Sequence, residues 1–238
     1  MNGFEGDCLI EMFDVCLQRG GRNIIEDVHL ALFSGEVAGI IGRSGSGKSS
    51  LLRCMAGLER PSEGEIKLCE TATLGFVTQH VDLIAYRTVL DNLTLALRCR
   101  KGVTREDGRA RARAWAERFG IAHILEKYPT EISGGEAQRA SIARIMVLDP
   151  RLVIFDEVTS NLDPILAGEI GELCVRLASE GRCVVFASHQ LRLVEEHASR
   201  IFFVDGGRVS LLDGGQPLLQ RSVPVGLKRF MDEVKRGW

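Results

Sequence analysis

Residues 42–49, Gly42-Arg43-Ser44-Gly45-Ser46-Gly47-Lys48-Ser49, carry the spacing G-x-x-x-x-G-K-[ST]. In such a stretch glycines let backbone amides wrap a polyphosphate closely, above the positive end of a following helix. Lys48 is placed to reach the β- and γ-phosphates and the Ser49 hydroxyl to sit on Mg²⁺, with Ser50 in the same expected nucleotide-contacting set. A flexible Gly/Ser turn would explain the glycines but not the Lys-Ser ending. A second anion site is expected at Ser133-Gly134-Gly135, a turn that opens a helix and offers a hydroxyl and amides. The run Leu152-Val153-Ile154-Phe155-Asp156-Glu157 ends an apolar strand in two acids, at the mouth of a sheet where α/β folds bind ligands. Asp156 suits the Mg²⁺ shell and Glu157 suits polarising an attacking water. A strand merely stopped by solvated acids is common in isolation, less so beside a phosphate loop.

These groups need elements to hold them. Residues 37–41 are apolar throughout and read as a buried strand entering the loop. Residues 50–56 read as the helix leaving it, stopped at Gly57 with Pro61 beyond. Earlier, residues 8–15 and 28–33 read as strands flanking a turn at 19–22, and 64–68 and 73–77 as two more, ending near Gln79. From about 81 to 130 the pattern turns helical, with segments 89–97, capped by Thr88, and 104–119. The second is crowded with Arg105, Arg109, Arg111, Arg113 and Arg118, read as a solvated face in preference to a basic docking face. Alternation then resumes: helix 136–148, strand 152–155, helix 165–179, strand 183–187, helix 191–198 and a hairpin of 201–204 with 208–212. Continuous apolar strands separated by helices imply a parallel sheet covered on both faces.

The chain has 238 residues, 45% hydrophobic and 26% charged, enough for one large α/β domain or a core plus a smaller subdomain. A net charge of −2 gives no electrostatic case for nucleic acid. No apolar run approaches the roughly 20 residues that span a bilayer, and the acidic start, residues 1–7, is unlike a signal peptide. Seven cysteines stand singly, without a C-x-x-C pair. They read as reduced, mostly buried side chains of a cytosolic protein, and a metal site built on them is not expected.

Ile132-Ser133-Gly134-Gly135-Glu136-Ala137-Gln138-Arg139 resembles the signature of the ATP-binding cassette (ABC) ATPases, Leu-Ser-Gly-Gly-Gln followed by a helix. The resemblance covers essentially the whole chain, in the family's order. It implies an α/β fold: a P-loop NTPase core with a mainly parallel sheet, a small N-terminal antiparallel β subdomain and an inserted α-helical subdomain. As one ABC ATPase domain over 1–238, it would divide into a core of 1–80 and 136–238 and a helical signature subdomain of 81–135. Gln79 matches the family's Q-loop, implying a side chain that ligates Mg²⁺ or the attacking water. Ser160-Asn161-Leu162-Asp163 matches the D-loop, with Asp163 near the nucleotide. His189 matches the switch histidine, expected to hold Glu157, water and the γ-phosphate in place.

The family's use of two anion sites implies a head-to-tail dimer with a second copy or a homologous ATPase. Each ATP would lie between the phosphate loop of one copy and Ser133-Gly134-Gly135 of the other. Three departures stand out: no aromatic precedes the second strand, where Arg19 is the nearest candidate to stack on adenine; Val158 replaces a common Pro; and Glu136 replaces a common Gln. The stretch from Lys48 to Gln79 is short, so the antiparallel sheet is expected to be trimmed.

Residues 82–84 with 87–93, 162–164 with 168–170, 204–209 and 227–232 look most like the importer ATPases for polar amino acids. That resemblance implies ATP and Mg²⁺, an integral membrane permease engaged near Gln79 and residues 80–95, a solute-binding protein, and a place at the cytoplasmic face of the cell membrane. Two readings share the catalytic residues: a lipid- or lipoprotein-extracting ABC ATPase, and a soluble ABC ATPase acting in assembly. A DNA-repair ATPase would need long heptads, and the insertion is too short for them.

Overall fold

The computed structural model describes residues 6–99, 102–160, 162–212, 227–228 and 230–231. Residues 1–5 of the acidic start, Asn161, and Arg229 and Asp232 of the stretch 227–232 lie outside them. So does the side chain of Cys99.

The chain opens with a long hairpin, β1 (Cys8–Arg19) and β2 (Arg22–Phe33), considerably longer than the alternation at 8–15 and 28–33 predicts. Its turn falls on Gly20 and Gly21, whose φ values of 55° and 75° suit the tight two-residue connection between twisted strands. The strand period is broken by register shifts around Asp14 and Asp27, both left-handed at φ 50° and 48°, which hides the full strand length from a period-two reading. β4 (Glu63–Leu68) pairs antiparallel with β1, giving a three-stranded sheet in the order β2-β1-β4.

The main sheet has six strands in the order β5-β6-β7-β3-β8-β9. Here β3 is Val37–Ile41, β5 Leu74–Val77, β6 Leu152–Asp156, β7 Cys183–Ala187, β8 Arg200–Asp205 and β9 Arg208–Leu212. All neighbours are parallel except β8 and β9, which form a terminal hairpin. Strands β3, β6 and β7 are buried at every residue. The reason is visible in which core each side chain joins. Val153 and Phe155 of β6 enter one cluster with Ala143, Met146 and Leu177, whereas Leu152 and Ile154 enter another with Leu51, Leu52 and the antiparallel sheet's Leu9 and Leu32. A strand packed on both faces has no polar position, so period-two alternation vanishes. Each fully buried large side chain contributes roughly 1.5–3 kcal/mol.

Helices α1 (Lys48–Met55), α4 (Gly134–Met146), α5 (Pro164–Ser179) and α6 (Leu191–His197) belong to this layered core. α2 (Val89–Thr94) and α3 (Arg105–Arg118) lie between β5 and α4 in the chain and pack on each other and on α4. α2 is shorter than predicted and continues as a 3-10 turn, Ala96–Cys99. Thr94 Oγ1 donates to the Leu90 carbonyl at 2.9 Å, a local bond that competes with the helical ladder. α3 begins where Thr104 caps it in a reciprocal bond with Asp107. Its five arginines are exposed, as a solvated face requires. Cys54, Cys174 and Cys183 are buried and Cys8, Cys16 and Cys69 half-buried, all free, so the cysteines are less uniformly buried than expected. Among the described residues, no helix is long and apolar enough to cross a membrane.

One buried charge ties the two sheets together. Glu36 is fully buried; its carboxylate accepts the Phe33 amide at 2.8 Å and pairs with Arg200 of β8 at 2.9 Å. Arg200 also donates to the Ala31 carbonyl. Burial pushes the Glu36 carboxyl above its ordinary range despite Arg200.

Candidate active site

The loop between β3 and α1 is shaped by close approach. Gly47, at the helix N-cap, has φ 110°, and a Cβ there would lie 2.7 Å from the Ile24 carbonyl oxygen. Only glycine satisfies both conditions. Lys48 folds back under the loop, its ammonium donating to the Gly42 carbonyl at 2.9 Å and the Arg43 carbonyl at 3.1 Å. Burial lowers its pKa, with Glu157 opposing the shift. The Ser46 hydroxyl is buried without a hydrogen-bond partner, an arrangement that costs energy unless a ligand uses it. Arg43, Ser44 and Gly45 form the exposed rim, and Ser50 is buried in the first helical turn.

Parallel pairing of β6 with β7, and of β7 with β3, brings the strand ends to this loop. Ser49 Oγ donates to Asp156 Oδ1 at 2.9 Å, joining loop and β6. Asp156 is buried, and desolvation raises its pKa against the pull of Ser49. Glu157 follows with φ 53°, a left-handed conformation uncommon for a long side chain and one that marks functional turns. Its Oε1 lies 2.7 Å from His189 Nε2 and 3.4 Å from Lys48 Nζ. The structure therefore gathers Lys48, Ser49, Asp156, Glu157 and His189 into one cluster.

Gln79 reaches it indirectly. Its amide donates to Ser160 Oγ at 3.1 Å, and Ser160 Oγ donates to the Glu157 carbonyl at 2.9 Å. No bond joins Gln79 to Ser49 or Asp156. Asp163 is spent as the cap of α5, accepting the amides of Ile165 and Leu166. Ser133, Gly134 and Gly135 stand elsewhere on the chain, at the start of α4. Ser133 is bonded to Glu136 and to no group of the cluster. The Arg19 guanidinium is committed to Glu59, with bonds of 2.8 and 2.5 Å, so stacking on adenine would require breaking that pair.

Contacts that the sequence does not announce include the Ser160 bridge, a bond from half-buried Arg144 of α4 to the Asp82 carbonyl, and a His123–Glu136 pair at 2.9 Å. Arg144 left a trace, the one charged residue in the run Ile142-Ala143-Arg144-Ile145-Met146.

The fold and the cluster at its strand ends define a phosphate-loop ATPase. The chain belongs to the ABC transporter family, whose profile matches residues 25–160, and it is an ATP hydrolase of that family. The glutamine transport ATP-binding protein of Geobacillus stearothermophilus is 37% identical over 203 residues, spanning 80% of this chain and 84% of that protein. The histidine/lysine/arginine/ornithine transport ATP-binding protein of Salmonella typhimurium is 34% identical, over 84% of this chain and 87% of that one. A dimeric ATP-binding cassette in a post-hydrolysis state, bound to ADP and Pi, superposes with a TM-score of 0.75 at 27% identity, covering 87% of this chain and 100% of that one.

The buried lysine supports a specific expectation. Lys48→Ala removes the cation nearest the expected phosphates, and charged hydrogen bonds contribute roughly 1.5–3 kcal/mol. ATP binding, followed by equilibrium titration with a fluorescent analogue, is expected to weaken roughly 10- to 100-fold. An unchanged affinity would place the phosphates elsewhere.

Proposed function

We propose that this chain is the ATP-hydrolysing subunit of an importer for amino acids or similarly small polar solutes. The observation that carries the reading is agreement along most of its length with the two amino acid transport subunits above, joined to an intact hydrolytic cluster. In this reading 81–135 acts as a helical subdomain inserted between the core halves 1–80 and 136–238. Backbone amides of 42–48, with the Ser44, Ser46 and Ser50 hydroxyls, hold the phosphates, and Lys48 neutralises them. Ser49 and Asp156 would hold Mg²⁺. Two hard oxygen donors 2.9 Å apart, one a buried carboxylate, suit that ion. Gln79, now held by Ser160, would join them or the attacking water. When bound, Mg²⁺ supplies neutralisation of charge on the phosphate oxygens.

Glu157 accepts hydrogen bonding from the attacking water and orients it in line with the γ-phosphate. His189 fixes the Glu157 carboxylate, and its ring nitrogen also serves the γ-phosphate. Because Ser133-Gly134-Gly135 lies apart from the cluster, a second copy or a homologous ATPase delivers it, so that two ATPs lie between two chains. Asp163 sits on the α5 end next to that seam. Closure would drive a separate integral membrane permease resting near residues 80–95, with a solute-binding protein delivering cargo and this chain peripheral at the cytoplasmic face. We infer no nucleic acid partner.

Affinity purification of the tagged chain from detergent-extracted membranes tests the assignment. A multispanning protein retained in stoichiometric amount, and released by substitutions at Tyr86, which is exposed beside the Gln79 segment, is the expected result. A soluble partner in its place would contradict it.

A further inference from the structure

The Ser133 end carries an anion of its own. Glu136 Oε2 accepts both the Ser133 amide at 2.8 Å and the Ser133 hydroxyl at 2.7 Å. These bonds hold the carboxyl far below its usual range, at about 2. It is therefore charged at all working pH, at a helix N-terminus that favours anions. A γ-phosphate arriving there meets a like charge and a competitor for the single hydroxyl proton of Ser133. The other carboxylate oxygen, Oε1, lies 2.9 Å from His123 Nε2. His123 is an imidazole, a side chain able to carry or give up a positive charge at this contact.

We propose that His123 is a positioning residue of the signature end, acting through Glu136. Protonated, it cancels the carboxylate's charge and weakens its hold on the Ser133 hydroxyl, leaving that proton for a phosphate. Neutral, it leaves an uncompensated carboxylate in the phosphate's place. The inference rests on the reading that ATP is sandwiched between two chains.

Other charges near His123 are otherwise engaged or common to both protonation states. α3, packed on the turn Ala122–Ile124, ends in Glu117 and Arg118, the latter bonded to Glu180. Glu131, from the turn before Ser133, accepts the Tyr128 amide. Glu126 and Lys127 follow His123 on its own segment.

The test measures ATP-driven dimerisation by sedimentation in the Glu157→Gln background, with MgATP, at about pH 6 and about pH 8. The dimer is expected to be roughly two- to fivefold tighter at the lower pH, the scale of one charge at a helix end. His123→Arg should give tight dimers at both values, His123→Gln weak ones at both, and Glu136→Gln tight dimers without pH dependence. A merely structural His123 would not produce opposite effects from Arg and Gln. A pH-independent parent dimer, or an equal slope in the Glu136→Gln variant, overturns this inference alone. Absence of any ATP-dependent dimer at either pH overturns the sandwich reading and this inference with it.

Discussion

Glu157→Gln is expected to lower steady-state ATP hydrolysis about 10²–10⁴-fold, the usual contribution of a positioned general base. The geometry explains why a change of one atom has this effect. Glu157 sits in a left-handed turn at the end of β6, its Oε1 between His189 at 2.7 Å and Lys48 at 3.4 Å. The amide keeps the size of the side chain but is a poor proton acceptor and loses attraction to Lys48. Nucleotide affinity should stay within a few-fold, since the loop amides, Lys48 and Ser49 are untouched. Phosphate release and nucleotide binding, measured on the same preparation, separate the two effects. Equal losses in both would mean that Glu157 serves binding and not chemistry.

Glu36→Ala is expected to be the most damaging change outside the site, destabilising the fold by about 3–5 kcal/mol. That is a large share of the roughly 5–15 kcal/mol that holds a typical domain together. The loss comes from what is left behind: Arg200 without its counter-charge and the Phe33 amide without its acceptor. Glu36→Gln should cost less, because its amide oxygen can still accept from Phe33. The raised carboxyl also sets the sign of a pH effect. A group whose pKa is higher folded than unfolded favours folding below its ordinary value of about 4.5 and loses that contribution as pH rises through the folded value. The Gln variant should therefore lack this downward slope in a series of urea denaturation curves from about pH 4 to pH 7. A variant series with parallel slopes would mean that Arg200 holds Glu36 at its ordinary value.

Much of this fold was legible because its signals are local. The phosphate loop, the two acids ending β6 and the parallel strands follow from spacing and uninterrupted apolar runs, and β7 occupies the predicted 183–187. α4 starts at Gly134, two residues before the predicted 136, because Ser133 and Glu136 form a reciprocal cap that admits both glycines into the helix. The hairpin's length was hidden by bulges at Asp14 and Asp27 and by its polar end, Gln18-Arg19 and Arg22-Asn23.

The contacts that were not legible are pairings across topology. Gln79 meets Ser160, Arg144 meets Asp82 and Arg19 meets Glu59. Each joins residues of unremarkable type that only the folded chain makes neighbours. The same limit applies to Asp163, whose carboxylate is visible in sequence but whose commitment to the Ile165 and Leu166 amides is not.

In the proposed mechanism the hydrolytic cluster is half a site, completed by Ser133-Gly134-Gly135 from a second chain. The most direct measurement is the solution mass of Glu157→Gln with and without MgATP, by light scattering on a sizing column. A monomer of 26.2 kDa without nucleotide, doubling in mass with MgATP and returning when ATP is replaced by ADP, is the predicted result. A Glu157→Gln chain that binds MgATP and keeps the monomer mass would contradict the account.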